Sequence, residues 1–101
     1  MSSSILVCGA IFDGVRDELG GRSEILIRDG RIGAIGAKVE RPDSAEVIDL
    51  SDRTISPGFI DTHVHLTMDA TNLAQQTLES TATKALMGLS LAREYMHYGF
   101  T

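Results

Sequence analysis

Two histidines one residue apart are the feature of this sequence best suited to chemistry. They lie in the segment PGFIDTHVHL, residues 57–66, of a chain that contains three histidines in all. If this segment is a β-strand, residues two apart share a face, so Asp61, His63 and His65 point the same way. Neutral imidazoles are good ligands for Zn²⁺ and related divalent ions. The spacing therefore predicts a metal site with His63 and His65 as ligands.

The role of Asp61 on this face is left open by the sequence. Its carboxylate could orient a ligand imidazole through a hydrogen bond, or it could be a buried hydrogen-bond acceptor. An H-x-H pair by itself also occurs on surfaces and in cores without binding metal. Ligation is favoured here because the pair is expected at the C-terminal end of its strand, where parallel α/β folds place their chemistry.

Three other residues that could do chemistry receive structural interpretations. A helix from about residue 81 to 97 is about 25 Å long and runs away from the histidine pair, so His97 is expected at its far end. There it complements the helix dipole. Lys84 is expected to be a solvated helix residue. Asp69 is expected in a loop beyond the strand, with a place in a substrate pocket as the alternative.

Composition excludes several classes of function. The 101 residues are 43% apolar and 23% charged, which is typical of one small globular domain. A net charge of −5 without any cluster of Lys and Arg argues against nucleic acid or an anionic membrane as partner. No stretch approaches the roughly 18 apolar residues of a membrane span. The single cysteine, Cys8, excludes an internal disulfide and fits the cytoplasm.

The first half of the chain predicts β-structure. The apolar run at residues 5–12 indicates a buried strand, and Asp-Gly at 29–30, between isoleucine-rich flanks, indicates a hairpin with a type I′ turn. The segments EVIDL and RTIS predict a second short hairpin around residues 51–52. Strands at this spacing indicate a small antiparallel sheet or half of a β-sandwich.

The second half predicts one strand and one main helix. The strand covers residues 58–66, and Gly99 ends the main helix. A helical turn is expected near residues 74–78, with Asn72 and Gln75 as a weak capping pair. A strand followed by a helix needs a parallel partner strand, which would begin at residues 99–101, so the chain looks truncated. The helix is amphipathic and Tyr95 widens its apolar stripe, which consists of Ala82, Ala85, Leu86, Leu89, Ala92 and Met96.

The chain resembles a known family over nearly its whole length. A β segment with a D-G hairpin, followed by VIDL and ISPGFIDTHVHL, resembles the start of the metal-dependent amidohydrolase superfamily. The later ALMGLSLAREYMHYGFT is similar to the first barrel helix of the prolidase-like (Xaa-Pro dipeptidase-like) and imidazolonepropionase-like branch. The resemblance implies that residues 1–57 are part of a small β-sandwich. It also implies that residues 58–101 are the first β/α unit of a TIM-like (β/α)₈ barrel.

The same resemblance implies a function. His63 and His65 match two metal ligands at the end of the first barrel strand, in a site of one or two divalent ions, with zinc expected. Family members use a metal-activated water on amide, ester or C–N bonds, so a small amide or dipeptide-like substrate is expected. The family's bridging lysine or glutamate, two later histidines and catalytic aspartate have no counterpart in these 101 residues. No catalytic residue is therefore assigned, and the chain alone is expected to be inactive.

Two alternatives from other classes remain at this point. One is a non-enzymatic interaction module, a small β fold whose terminal helix docks on another chain. The other is a domain-swapped homo-oligomer, because exposed strand edges and an uncovered apolar helix stripe drive association.

Overall fold

The chain folds as two compact units, Met1–Pro57 and Gly58–Thr101. The computed structural model describes residues 2–68 and 73–101. Asp69 and Asn72, interpreted above as a loop residue and a helix cap, lie outside the described residues. Within the described ranges, no helix is both long and apolar enough to cross a membrane.

The first unit is a four-stranded mixed sheet with strand order β3-β2-β1-β4. Both β1–β2 and β2–β3 are antiparallel, whereas β1 and β4 are parallel. The prediction of a small antiparallel sheet is therefore wrong at β4, while the alternative, half of a β-sandwich, stays a prediction. The connection after β3 carries the chain across to the far edge of β1, and local sequence pattern does not encode that long-range choice. The strands are β1 (Ser3–Ile11), β2 (Ser23–Arg28), β3 (Arg31–Gly36) and β4 (Glu46–Ile55).

The predicted hairpin between β2 and β3 is confirmed. Arg28 pairs with Arg31 across a loop of two residues. Asp29 has φ 49° and Gly30 has φ 74°, so both central residues are left-handed, as a type I′ turn requires.

The second predicted hairpin, around residues 51–52, is wrong because β4 runs through it without a break. The pairing with β1 slips opposite Gly9, where residues 51–53 of β4 face that one residue. A Cβ atom on Gly9 would collide with the carbonyl oxygen of Ser51. The polar residues that resemble a turn therefore form a bulge, which bends a strand without reversing it.

One face of the sheet is covered by the connection between β3 and β4. The carboxylate of Glu24 on β2 accepts a hydrogen bond of 3.0 Å from the Val39 backbone N–H and pairs with the guanidinium of Arg41. Since Glu24 is only 9% exposed, this pair ties the connection down onto the sheet. The core beneath it consists of Ile5, Leu26 and Val39, with Val7 and Ala45 packed alongside.

The second unit contains a short helix, α1 (Leu73–Gln76), and a long one, α2 (Thr81–His97). The long helix has the predicted bounds. Ser80 caps its first turn, accepting a hydrogen bond from the Thr83 backbone N–H.

The C-terminus of α2 has the hydrogen bonds of a Schellman motif. Gly99, at φ 88°, donates its backbone N–H to the carbonyl of Met96. The next residue, Phe100, donates to the carbonyl of Tyr95. The prediction that Gly99 ends the helix is therefore confirmed, because a left-handed residue at this position is what the motif requires.

Only part of the predicted apolar stripe of α2 is covered, because Ala92 is half-buried while its other members are exposed. Leu86, Leu89 and Met96 are 70%, 52% and 72% exposed. Periodicity predicts an amphipathic helix, but which face is covered depends on where the preceding segment lies. The prediction of a swapped oligomer driven by this stripe stays a prediction. The residues that are buried or half-buried on α2 are Lys84, Met87, Gly88, Leu91, Ala92 and Tyr95.

The predicted strand over residues 58–66 is also wrong in extent. Only Phe59 pairs, forming a parallel bridge with Phe100. A strand needs a partner backbone, and opposite this segment the described chain offers only the residues up to Thr101. Beyond Phe59 the segment is a loop, although the parallel direction of the predicted partner is confirmed.

Candidate metal site

The site lies on the histidine segment, defined here as residues 58–68, which is anchored at its start. The backbone N–H of Phe59 donates to the Gly99 carbonyl at 2.8 Å, and the Thr101 N–H donates to the Phe59 carbonyl at 2.9 Å. The Phe59 and Phe100 rings lie 5.8 Å apart between centroids. Gly58 permits this approach, since a Cβ there would lie 2.5 Å from the Thr101 Cγ2 atom.

Asp61 shapes the backbone at the first histidine. Its carboxylate accepts a hydrogen bond of 3.0 Å from the backbone N–H of His63. This is an Asx-type turn, in which a side chain takes the place of a backbone acceptor. Asp61 is exposed, so the interpretation as a buried acceptor is wrong. Its described contact is with the backbone of His63.

The two imidazoles converge at the end of this turn. The Nε2 atoms of His63 and His65 lie 3.0 Å apart, and the ring centroids are 5.0 Å apart. Both side chains are exposed and accessible to an ion from solvent. In the absence of metal, one neutral ring can donate a hydrogen bond to the other.

This geometry fits a divalent ion. Two imidazole nitrogens bound to one zinc at about 2.0–2.1 Å, with a tetrahedral angle, lie about 3.3–3.4 Å apart. The separation of 3.0 Å between the two Nε2 atoms is close to that value. The donor set is also the one that zinc and its neighbours in the transition series accept most readily.

The structure does not bring a third ligand to the pair. Across residues 2–68 and 73–101, no group of three His, Cys, Asp or Glu side chains could hold a metal. His97 lies in the last turn of α2, with its ring 5.9 Å from that of Tyr98. Lys84 is half-buried, contrary to the expectation that it is solvated, and it lines a cavity of about 400 Å³ with Thr67 and Gln76.

One residue with a bearing on the site is not singled out by the sequence pattern. Gly88 is the buried residue of α2, and a Cβ atom added to it would meet Leu66 and Thr67 of the histidine segment. The signal for it is an isolated glycine inside a helical pattern, which usually has a packing reason.

Comparison with curated proteins relates the chain to dihydroorotases. The dihydroorotase of Anaeromyxobacter dehalogenans (strain 2CP-C) is 44% identical over 54 residues, which are 54% of this chain and 11% of the relative. The dihydroorotase of Mycobacterium tuberculosis is 38% identical over 69 residues, 68% of this chain and 16% of the relative. No family model matches the chain.

Comparison with solved structures extends the likeness to nearly the whole chain. A Xaa-Pro dipeptidase with methionine bound in its active site superposes with a TM-score of 0.86 at 28% identity, covering 99% of this chain and 25% of that one. An amidohydrolase superposes with a TM-score of 0.85 at 32% identity, covering 99% and 24%. The chain therefore spans about a quarter or less of the length of the proteins it matches. By sequence and by fold, the chain belongs to the amidohydrolase superfamily.

Proposed function

We propose that this chain supplies two metal ligands, His63 and His65, to a metal-dependent amidohydrolase that cleaves amide or other C–N bonds. The observation that carries the proposal is the convergence of the two Nε2 atoms to 3.0 Å at an exposed position. The relatives are hydrolases, which favours an enzyme over a non-enzymatic interaction module.

In this proposal, the residues of the chain bind the metal ion and orient its ligands. His63 and His65 present neutral ring nitrogens, and Asp61 fixes the backbone from which the first of them projects. A divalent ion held by His63 and His65 would supply a bound water of lowered pKa and would polarise the substrate carbonyl. A catalytic zinc site takes three protein ligands. We therefore expect the 101-residue chain to bind metal without catalysing hydrolysis.

The same proposal assigns each unit a place in a larger fold. Residues 58–101 are the first β/α unit of a (β/α)₈ barrel, and residues 1–57 are part of a small β-sandwich. The parallel bridge between Phe59 and Phe100 supports the first assignment, because adjacent barrel strands are parallel. The similarity to solved amidohydrolases over 99% of the chain supports both assignments.

We propose a dipeptide-like amide as the substrate, because the Xaa-Pro dipeptidase matches nearly the full chain. A second candidate, the cyclic amide hydrolysed by dihydroorotases, is favoured by the sequence matches at 38–44% identity. Assays of the intact gene product on an Xaa-Pro dipeptide and on dihydroorotate separate the two. Turnover of neither compound would refute both substrate assignments.

The metal assignment is tested by titrating the chain with zinc and measuring the heat of binding by calorimetry. We expect binding at one site that is lost in His63→Ala and in His65→Ala. The matched control is His97→Ala, which removes the third histidine and should leave the zinc Kd unchanged. Equal binding by the wild type and both pair variants would refute the proposal.

A further inference from the structure

Gly88 lies where helix α2 touches the histidine segment. A Cβ atom on this residue would lie 3.1 Å from the Thr67 Cγ2 atom and 3.3 Å from the Leu66 carbonyl oxygen. Non-bonded carbon atoms prefer separations of about 3.5–4.0 Å. With a side chain at residue 88, Leu66 and Thr67 therefore have to give way by a few tenths of an ångström.

The histidines lie between two points at which the segment is held. The first is Phe59, which is tied by two backbone hydrogen bonds to Gly99 and Thr101. The second is the contact of Leu66 and Thr67 with Gly88. Thr67 is only two residues beyond His65, a span of at most about 7 Å along the chain. A displacement at this second point therefore reaches the imidazole of His65 over a short length of backbone.

Helix α2, which carries Gly88, is capped by hydrogen bonds at both ends. Ser80 caps its first turn, and the Schellman hydrogen bonds of Gly99 and Phe100 close its last. Glycine is the poorest helix former after proline. If residue 88 had no role beyond being part of the helix, alanine there would make the helix more stable. The presence of glycine at a close contact with the histidine segment points to a different use.

We propose that Gly88 is a positioning residue for His63 and His65. Because it has no Cβ, the α2 backbone approaches Leu66 and Thr67 closely, and that approach sets where the two imidazoles converge. This inference rests on the proposed function, since it concerns the same metal site.

The two effects of Gly88→Ala have opposite signs, which allows them to be separated. Helix propensity rises, so the helix should not lose thermal stability, while zinc binding weakens. We expect the zinc Kd of Gly88→Ala to rise about tenfold, at the low end of the effect of removing a group that orients a ligand. In the metal-free chain, the nuclear Overhauser effect between the rings of His63 and His65 should weaken as well.

A second substitution and a control sharpen the test. Thr67→Ser removes the Cγ2 methyl that a new Cβ would meet, so the double variant Gly88→Ala/Thr67→Ser should recover most of the zinc affinity. Ser90→Ala, at an exposed position of the same helix, also raises helix propensity. It should leave both the Kd and the ring–ring signal unchanged.

The outcomes distinguish this inference from the proposed function. If the wild type binds zinc through both histidines and Gly88→Ala has the same Kd and the same ring–ring signal, the positioning role is refuted. If the wild type and His63→Ala bind zinc alike, the metal site is refuted. The ring–ring signal of the metal-free Gly88→Ala chain then still decides whether Gly88 positions the rings.

Discussion

The carboxylate of Asp61 accepts a hydrogen bond of 3.0 Å from the backbone N–H of His63. Beyond Phe59 the histidine segment makes no strand pairing within the described residues, so no ladder fixes its backbone there. The Asx turn does this locally and sets the direction in which the first imidazole leaves the chain.

Replacing Asp61 by alanine should weaken metal binding. Without the acceptor, the backbone at His63 loses its turn and the imidazole pair loses its convergence. We expect the zinc Kd to rise about tenfold in Asp61→Ala. Asp61→Asn keeps a side-chain oxygen that can accept the same hydrogen bond, so it should stay closer to the wild type. If the two variants weaken binding equally, the negative charge matters and the turn does not.

Replacing Gly9 by alanine should destabilise the first unit. The β4 bulge places the Ser51 carbonyl oxygen where the new methyl group would lie. Forcing a methyl group into a well-packed site costs about 1–3 kcal/mol. We expect the free energy of unfolding, measured in urea, to fall by that amount. The control is Gly21→Ala, where no atom lies within 4 Å of the added Cβ. A Gly9→Ala chain as stable as this control would show that the bulge shifts at little cost.

Removing Arg41 should cost more stability than removing an exposed ion-pair partner. The Glu24 side chain is 11% exposed, so Arg41→Ala leaves a mostly buried carboxylate with one partner fewer. We expect a loss of about 1–3 kcal/mol in the free energy of unfolding. In the Arg28–Glu40 pair the side chains are 47% and 73% exposed. Glu40→Ala should therefore cost at most about 1 kcal/mol. Similar losses in the two variants would contradict the inference that the Glu24–Arg41 pair holds the β3–β4 connection onto the sheet.

The stability of the chain should fall at alkaline pH because of Cys8. Burial raises the pKa of this thiol above its ordinary value. The folded chain thus keeps the thiol proton at a pH where the unfolded chain has lost it. The stabilising contribution is complete below the ordinary pKa of the thiol in the unfolded chain, and it is lost as pH rises through the higher folded pKa.

The measurement is urea unfolding of the wild type and of Cys8→Ala at pH 7.0 and 9.5. The wild type should lose more stability between these two pH values than the variant does. Equal losses would show that the thiol does not titrate differently in the two states.

Elements governed by neighbouring residues could be predicted from the sequence. The bounds of α2, its end at Gly99 and the turn at residues 29–30 all follow from capping and backbone conformational preferences, which act within a few residues. The sequence also predicts that His63 and His65 point the same way, and their Nε2 atoms lie 3.0 Å apart. That the two imidazoles share an ion stays a prediction. The turn that brings them together could not be predicted, because the strand it replaces depends on a partner backbone.

What only the tertiary structure decided is which distant residues meet. The parallel pairing of β4 with β1, the bulge opposite Gly9 and the exposed position of Leu86 depend on contacts between segments far apart in sequence. An apolar pattern specifies that a face prefers burial, but the same pattern is compatible with several partners. The close contact of Gly88 with Leu66 and Thr67 was also decided by the tertiary structure. The reason for a glycine at this position can be seen only when the neighbouring backbone is in place.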